Sequence, residues 1–298
     1  MQFETIVCPV CGSADYRHEL EVRDRFETIV GHLYTIVRCT ACRLLYLNPR
    51  PDAASVSAFY GAEEYDPFLS SGSRVSAFTR LYRFVRRFTV RRKAWRVSNG
   101  LPRGARCLDV GCATGEFVAE LRRRGFDACG VEPSPMAAEH ARSTYGLTVW
   151  TGTVTDVPDS AGPFDLITLW HVLEHLHDLR GNLERMRSLL KEGGRLAIAV
   201  PNPSSSDARA YGAKWVAWDT PRHLYHFEPT VMTDLLIRAG FHARRHGAVA
   251  FDAFYHSLLS ESGGAIRLLR AGMRGGWSFF CGSFGGAGSS ELYIAEKR

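Results

Sequence analysis

The sequence predicts an α/β protein, a mostly parallel sheet with helices on both faces, preceded by a small four-cysteine module. Three observations predict it. Residues 105–132 read as strand, glycine turn, helix and strand; two Cys-x-x-Cys pairs fall within the first 42 residues; and Asn48-Pro49-Arg50-Pro51 separates the two regions. Two prolines in four residues disfavour both helix and sheet.

The chain has 298 residues, 45% of them hydrophobic and 23% charged, a balance that supports one substantial core and excludes a disordered chain. No run of about 18 uncharged apolar residues occurs, so no spanning helix is expected. The start, MQFETIVCPVC, lacks a basic and then apolar leader, so a cytoplasmic location is expected. The net charge is +6, but nine basic residues and no acid lie between Arg74 and Arg96, which leaves the remainder at −3. The basicity is one local stripe, and nucleic acid is not expected as a partner.

Residues 1–48 are read as the cysteine module. Cys8, Cys11, Cys39 and Cys42 offer the four thiolates that tetrahedral zinc prefers, with no position left for a reacting water. In a chain without a secretory leader, such pairs read as ligands of structural Zn2+ rather than as disulfides. Alternation from His32 to Val37 suggests hairpins. Two roles stay open for the module, nucleic-acid binding and shaping an acceptor site.

Residues 49–98 form a connecting arm in which Phe78, Leu81, Tyr82, Val85, Phe88 and Trp95 recur at helical spacing, with arginines between them. Three readings remain for this basic helix: packing on the next domain, guiding an anionic acceptor such as a nucleotide sugar or phosphorylated intermediate, or touching a membrane surface or nucleic acid through 74–96.

The catalytic domain is read as 99–298. Arg106–Val110 is a strand, Gly111–Gly115 a turn, Glu116–Arg124 a helix and Ala128–Val131 a second strand ending at Glu132. The turn has neither the Lys-Ser/Thr of a phosphate loop nor GxGxxG spacing. Asp109 precedes it, and an acid placed like Glu132 can accept both ribose hydroxyls of an adenosine. Further on, Asp165–Trp170 and Arg195–Val200 read as strands. Leu179, Leu183, Met186 and Leu190 mark a helix face, and Thr230–Ala239 reads as a helix entered at Pro229.

LDVGCATGEF, GVEPS, FDLITLWHVLEHLHD and LLKEGGRLAIAVPN together resemble class I S-adenosylmethionine-dependent methyltransferases. The resemblance covers about 105–250 and the strand Leu292–Glu296, and it implies a Rossmann-like seven-stranded sheet. It implies that Asp109, Gly111, Cys112, Ala113 and Gly115 line the amino-acid end of S-adenosylmethionine. Glu132 and Pro133 would meet the ribose, Thr153 and Val154 the adenine, and Trp170 and His171 the reactive methyl; S-adenosylhomocysteine is the implied product. Two departures are Ala113, where many members have glycine, and Thr153-Val154, where an acid often meets the adenine.

Methyl transfer from a sulfonium needs an aligned nucleophile and, for a hydroxyl or enolisable carbon, a base. Two histidine clusters supply candidates, His171/His175 and the stretch 218–227. His223 or His226 is the expected base, with Tyr225 positioning the acceptor and His171 next in line. Segments 201–228 and 252–290 exceed ordinary loops and are read as insertions over the site. Ile266–Met273 and the glycine- and aromatic-rich run after it read as a mobile lid, a dimer contact or a membrane-surface patch. The ribbon, arm and DTPRHLYHF are similar to bacterial enzymes that methylate sugars or other small metabolites. The expected acceptor is a small molecule, a sugar or glycolipid precursor, with O-methylation ahead of C-methylation. Two rivals are an rRNA/tRNA methyltransferase, whose usual base-nitrogen motif Pro201-Asn202-Pro203 does not match, and a zinc-dependent binding protein on a degenerate scaffold. The oligomeric state is left open.

Overall fold

The structure, a computed structural model, describes residues 1–60, 77–249, 251–261, 265–283 and 286–298. Arg74 and the side chains of Phe78, Leu81 and Tyr82 lie outside the described residues.

The main sheet has seven strands: β6 (Arg106–Val110), β7 (Asp127–Glu132), β8 (Val149–Thr151), β9 (Phe164–Trp170), β10 (Leu190–Pro201), β12 (Phe241–Ala248) and β13 (Ser290–Lys297). Their order is β12-β13-β10-β9-β6-β7-β8, parallel except for β13, which runs antiparallel between β10 and β12. Strands buried on both faces read as continuous apolar runs, and Leu108, Ile167, Leu169, Ile198 and Val200 are all fully enclosed. Chain order reverses where β6 pairs with β9, so the crevice beyond their carboxyl ends is the natural ligand site. Helices α2 (Glu116–Arg123), α3 (Pro135–Tyr145), α4 (Leu179–Leu189) and α6 (Pro229–Arg238) link the strands, preceded by α1 (Ala77–Ser98).

One boundary differs from expectation. β10 begins at Leu190 rather than Arg195, with a register shift between them that takes up Gly193 and Gly194. The two long segments also carry structure of their own. The first holds α5 (Ser206–Tyr211), two 3₁₀ turns and the two-residue strand β11 (Tyr225–His226). The second holds α7 (Asp252–Ser260) and α8 (Ala265–Ser283).

The N-terminal region forms β1 (Phe3–Glu4), β2 (Tyr16–Arg23), β3 (Leu33–Cys39), β4 (Leu45–Leu47) and β5 (Arg50–Pro51). β1 pairs with β5, and the other sheet runs β11-β4-β3-β2. Its fourth strand therefore comes from the far end of the sequence, with Tyr225 opposite Tyr46 and His226 opposite Leu45. The core does not divide at residue 48: one cluster runs from Tyr34, Ile36 and Leu47 through Leu224, Phe227 and Met232. About 50 residues bury too little apolar surface alone, and sharing a core with the larger unit supplies it.

Ion pairs tie the same seam. Arg222, 4% exposed, donates to Asp24 Oδ1 at 2.7 Å and to Asp219 Oδ1 at 2.9 Å, and its guanidinium lies 4.6 Å from the Phe26 ring centre. Arg38 bridges Glu19 and Glu228, and Arg50 bridges Glu4 and the Tyr225 hydroxyl. Removing one partner of a buried pair leaves the other charge unpaired, at a cost of about 3–5 kcal/mol. Arg222→Ala should lower stability to urea by about that amount, while Asp24→Asn combined with Arg222→Ala should lose less than the two separate losses together. Equal additivity in equilibrium unfolding would show the pair to be uncoupled.

Candidate functional site

Each cysteine pair sits in a tight turn. Cys8 O accepts from Gly12 N–H at 2.8 Å, and Cys39 O from Arg43 N–H at 3.0 Å. Cys8 Sγ lies 3.4 Å from Cys42 Sγ and Cys11 Sγ 3.5 Å from Cys39 Sγ, with all four within 4.8 Å of one another. A disulfide needs about 2.05 Å. Four sulfurs around zinc at about 2.3 Å stand roughly 3.8 Å apart, so the donor set fits a closed tetrahedral ion.

At the carboxyl end of β6 the chain turns through Gly111 (φ +70°), Ala113 (φ +48°) and Gly115 (φ +83°). A side chain at Gly111 would meet Val172 Cγ2 at 2.5 Å, so the turn has no room for a Cβ there. Ala113 is one of the few non-glycine residues held left-handed, and its N–H donates to Glu132 Oε2 at 2.8 Å. Glu132 Oε1 accepts from Ser134 N–H at 3.0 Å. The Glu132 carboxylate, 1% exposed and raised in pKa by burial, therefore locks the first turn to the second, and each oxygen keeps a lone pair for a ribose hydroxyl. Asp109 accepts from Thr168 Oγ1 at 2.6 Å, and burial pushes its carboxyl up to about 7. Thr153 N–H donates to Asp156 Oδ2 at 2.7 Å, which shapes the turn that leads to buried Val154; Pro133 is exposed. Trp170 lies beneath Lys93, whose Nζ is 4.6 Å from the ring centre. The residues fit an adenosyl cofactor.

Beside this crevice, at the ends of β9 and β10, opens a cavity of about 560 Å³. His171, His175 and His223 line it from the main domain, Lys93 from α1, Asp252, Tyr255 and His256 from α7, and Arg25, Phe26 and Thr28 from the β2–β3 loop of the cysteine module. The module is thus part of the cavity wall.

The histidines divide by electrostatics. His171 has φ +57°, which swings its ring to Asp252 Oδ2 at 2.9 Å and to Glu174 Oε1 at 3.6 Å. Burial lowers its pKa, but the two carboxylates outweigh that and hold it at about 9. The two carboxylates thus favour the protonated ring, which sets His171 apart from His223 as a candidate base. His223 donates Nδ1–H to Ala217 O at 2.8 Å, and burial and the neighbouring His175 push its pKa down to about 4. Its Nε2 lone pair is free of a proton at pH 7. His175 Nδ1 meets Arg222 O at 3.0 Å. Between these rings lies Glu174, fully buried, neither oxygen within hydrogen-bond distance of a donor among the described residues. Burial raises its pKa, yet His171 and the histidines around it hold it at about 2. Glu174, His175 and His223 bring their donor atoms within 4.8 Å of one another and could hold a metal ion.

Two expected residues are not in the cavity. His226 lies behind His223, packed edge-on against Trp218 with its pKa lowered by burial to about 3, because the backbone of β11 is committed to β4. Tyr225 turns the other way: its hydroxyl accepts from Arg50 at 2.6 Å and donates to His177 O at 2.9 Å. It holds the seam and does not reach an acceptor. Lys93, Asp252, His256 and the Arg25-Phe26 pair were not singled out in the sequence. Only Lys93 carried a signal there, as the single lysine of the arm.

A family model described as a methyltransferase domain matches residues 79–246, more than half of the chain, and the chain belongs to that family. Ubiquinone biosynthesis O-methyltransferase of Xanthomonas axonopodis pv. citri (strain 306) is 30% identical over 135 residues, 43% of this chain and 56% of that protein. The corresponding enzyme of Rhodopseudomonas palustris (strain BisB18) is 28% identical over 141 residues, again 56% of its length. The chain thus spans little more than half of these relatives. Among solved structures, magnesium protoporphyrin IX methyltransferase of Synechocystis PCC 6803 with bound S-adenosylhomocysteine aligns with TM-score 0.53 and 16% identity, over 83% of this chain and all of that one. A SAM-dependent methyltransferase of Archaeoglobus fulgidus aligns with TM-score 0.50 and 19% identity, over 71% and 94%. These two likenesses show the fold.

The His171–Asp252 contact joins α7 to the floor of the site, and its stability depends on pH. A histidine pKa raised to about 9 contributes stability that is complete below about 6.5 and lost as pH rises through 9. The melting temperature should fall between pH 7 and pH 10, and part of that fall should disappear in Asp252→Asn.

Proposed function

We propose that the chain transfers a methyl group from S-adenosylmethionine to a hydroxyl of a small acceptor bound in the cavity, with His223 as general base. The observation that carries the reading is His223 itself: a cavity-lining ring kept neutral, its tautomer fixed by Ala217 O, with Nε2 able to accept a proton. When bound, the cofactor supplies the activated methyl and its own leaving group.

The chain's residues do the rest. Asp109 and the 111–115 turn hold the amino-acid end, Glu132 and the backbone about Pro133 hold the ribose, and Trp170 with the 153–154 turn borders the rest. As the acceptor hydroxyl loses its proton to His223, the imidazolium formed has the buried Glu174 carboxylate within 4.8 Å of one ring nitrogen. Deprotonating the hydroxyl only as the methyl arrives avoids a free alkoxide. Arg25, Lys93 and Asp219 give the wall polar groups of both signs, and Phe26, Phe59 and Tyr255 give it flat apolar surface. Such a wall suits the carbohydrate of a sugar or glycolipid precursor, and the O-methyltransferase names of the relatives favour oxygen as the reacting atom.

Calorimetry and turnover separate the roles. Glu132→Ala should abolish detectable S-adenosylmethionine binding. His223→Ala should bind it normally and lose about 10²–10⁴ in kcat, part of which added imidazole restores. Normal turnover in His223→Ala would sink the assignment of the base. If only ionised Asp109 pairs with the cofactor's ammonium, affinity should rise about tenfold between pH 6 and pH 8, following a carboxyl at about 7. Asp109→Asn should bind weakly at both pH values.

A further inference from the structure

Helix α8 is built inside out. Its buried stripe is small: Ala271, Gly275, Ser278 and Gly282, spaced four, three and four apart. A Cβ at Gly275 would stand 2.9 Å from Phe254 Cα, so the stripe is small because α8 lies directly on the backbone of α7. Ser278 fixes it there by donating to Asp207 Oδ1 at 2.6 Å. Most of the bulky residues point the other way. Ile266, Leu269, Met273 and Trp277 follow one another at spacings of three and four on the opposite face, each more than 60% exposed, and Phe280 continues the line. A contiguous outward apolar stripe on a helix is a docking surface.

Charge identifies what docks. Arg267, Arg270 and Arg274 all lie along one flank of the stripe, and residues 265–283 include no acid. The surface continues across aromatic rings, from Phe279 to Phe251 at 6.3 Å and on to Phe88 at 6.2 Å. Phe88 lies on α1, where it and Trp95 are half exposed among the exposed Arg87, Arg91 and Arg92. Two copies meeting through this face would bring arginine against arginine. An apolar stripe edged by cations and interrupted by tryptophan matches instead the boundary between acyl chains and anionic headgroups. At 19 residues α8 is about 28 Å long, and none of the described helices is long and apolar enough to cross a membrane. It would lie in the plane.

We propose that α8, with the adjoining face of α1, docks the protein on an anionic bilayer surface. Tyr255 and Leu259 of α7, the helix beneath α8, line the acceptor cavity, so docking would set the cavity beside the lipid. Resting on the methyltransferase reading, this narrows the acceptor to an amphiphile whose polar part enters the cavity from the membrane.

The test uses the full chain and vesicles of phosphatidylcholine alone or with about 30% phosphatidylglycerol. The protein should sediment with the anionic vesicles and not with phosphatidylcholine alone, and about 0.5 M salt should weaken the binding. Met273→Asp with Trp277→Ser should weaken it at least tenfold, with an unchanged circular dichroism spectrum and unchanged S-adenosylmethionine affinity. Arg270→Gln with Arg274→Gln should reduce binding to anionic vesicles alone. Equal binding by these variants would overturn the proposal. So would failure of the folded wild type to bind anionic vesicles, including the case in which it pairs through this face in sedimentation velocity. Vesicle binding without cofactor binding would leave the docking surface standing and remove the methyltransferase reading.

Discussion

The buried Arg222 guanidinium between Asp24 and Asp219 is the contact on which the arrangement turns. Asp24 follows β2 in the cysteine module, Asp219 closes a turn beside the cavity, and Phe26 covers the cation. Desolvating three charges is expensive, and only mutual pairing offsets it. The seam therefore has one satisfied geometry, which sets the β2–β3 loop against the cavity and places His223, the next residue, on its wall.

The same economy of charge sorts chemically identical side chains into different tasks. His171 and His223 lie on opposite sides of Glu174. Two carboxylates close to His171 favour its protonated ring; at His223, burial and a second imidazole outweigh the more distant Asp219 and Glu174 and favour the neutral one. Environment rather than residue type assigns proton donor and acceptor. Glu174 serves both rings, and its own buried oxygens are stabilised only by the positive charge around them.

The parts legible in the sequence were those written in local pattern. Cys8 to Cys42 announced their cluster by spacing, and the turn after β6 and the acid at Glu132 by their place beside apolar runs. The strands β6, β7 and β9 showed within a residue or two. What escaped depends on pairings distant in the chain. A two-residue strand such as Tyr225–His226 has no periodicity, and its partner β4 lies about 180 residues earlier. Counting histidines near one another could not tell that Asp252 would fix the charge of His171, or that β11 would turn Tyr225 and His226 out of the cavity. Segment 252–290 was read as an insertion, and its two helices were not foreseen, because glycines at 272, 275, 276 and 282 weaken a helical pattern that tertiary packing then enforces.

The late arrival of β11 has a consequence for biosynthesis. All four cysteines and β2 to β4 have left the ribosome long before residue 225 is translated, so the cysteine set is complete while the sheet is not. At about 5–20 residues per second the outer edge of β4 waits roughly ten to forty seconds for its neighbour. Throughout that interval the nascent chain carries an open row of backbone donors and acceptors, the kind of edge that recruits strands from other chains.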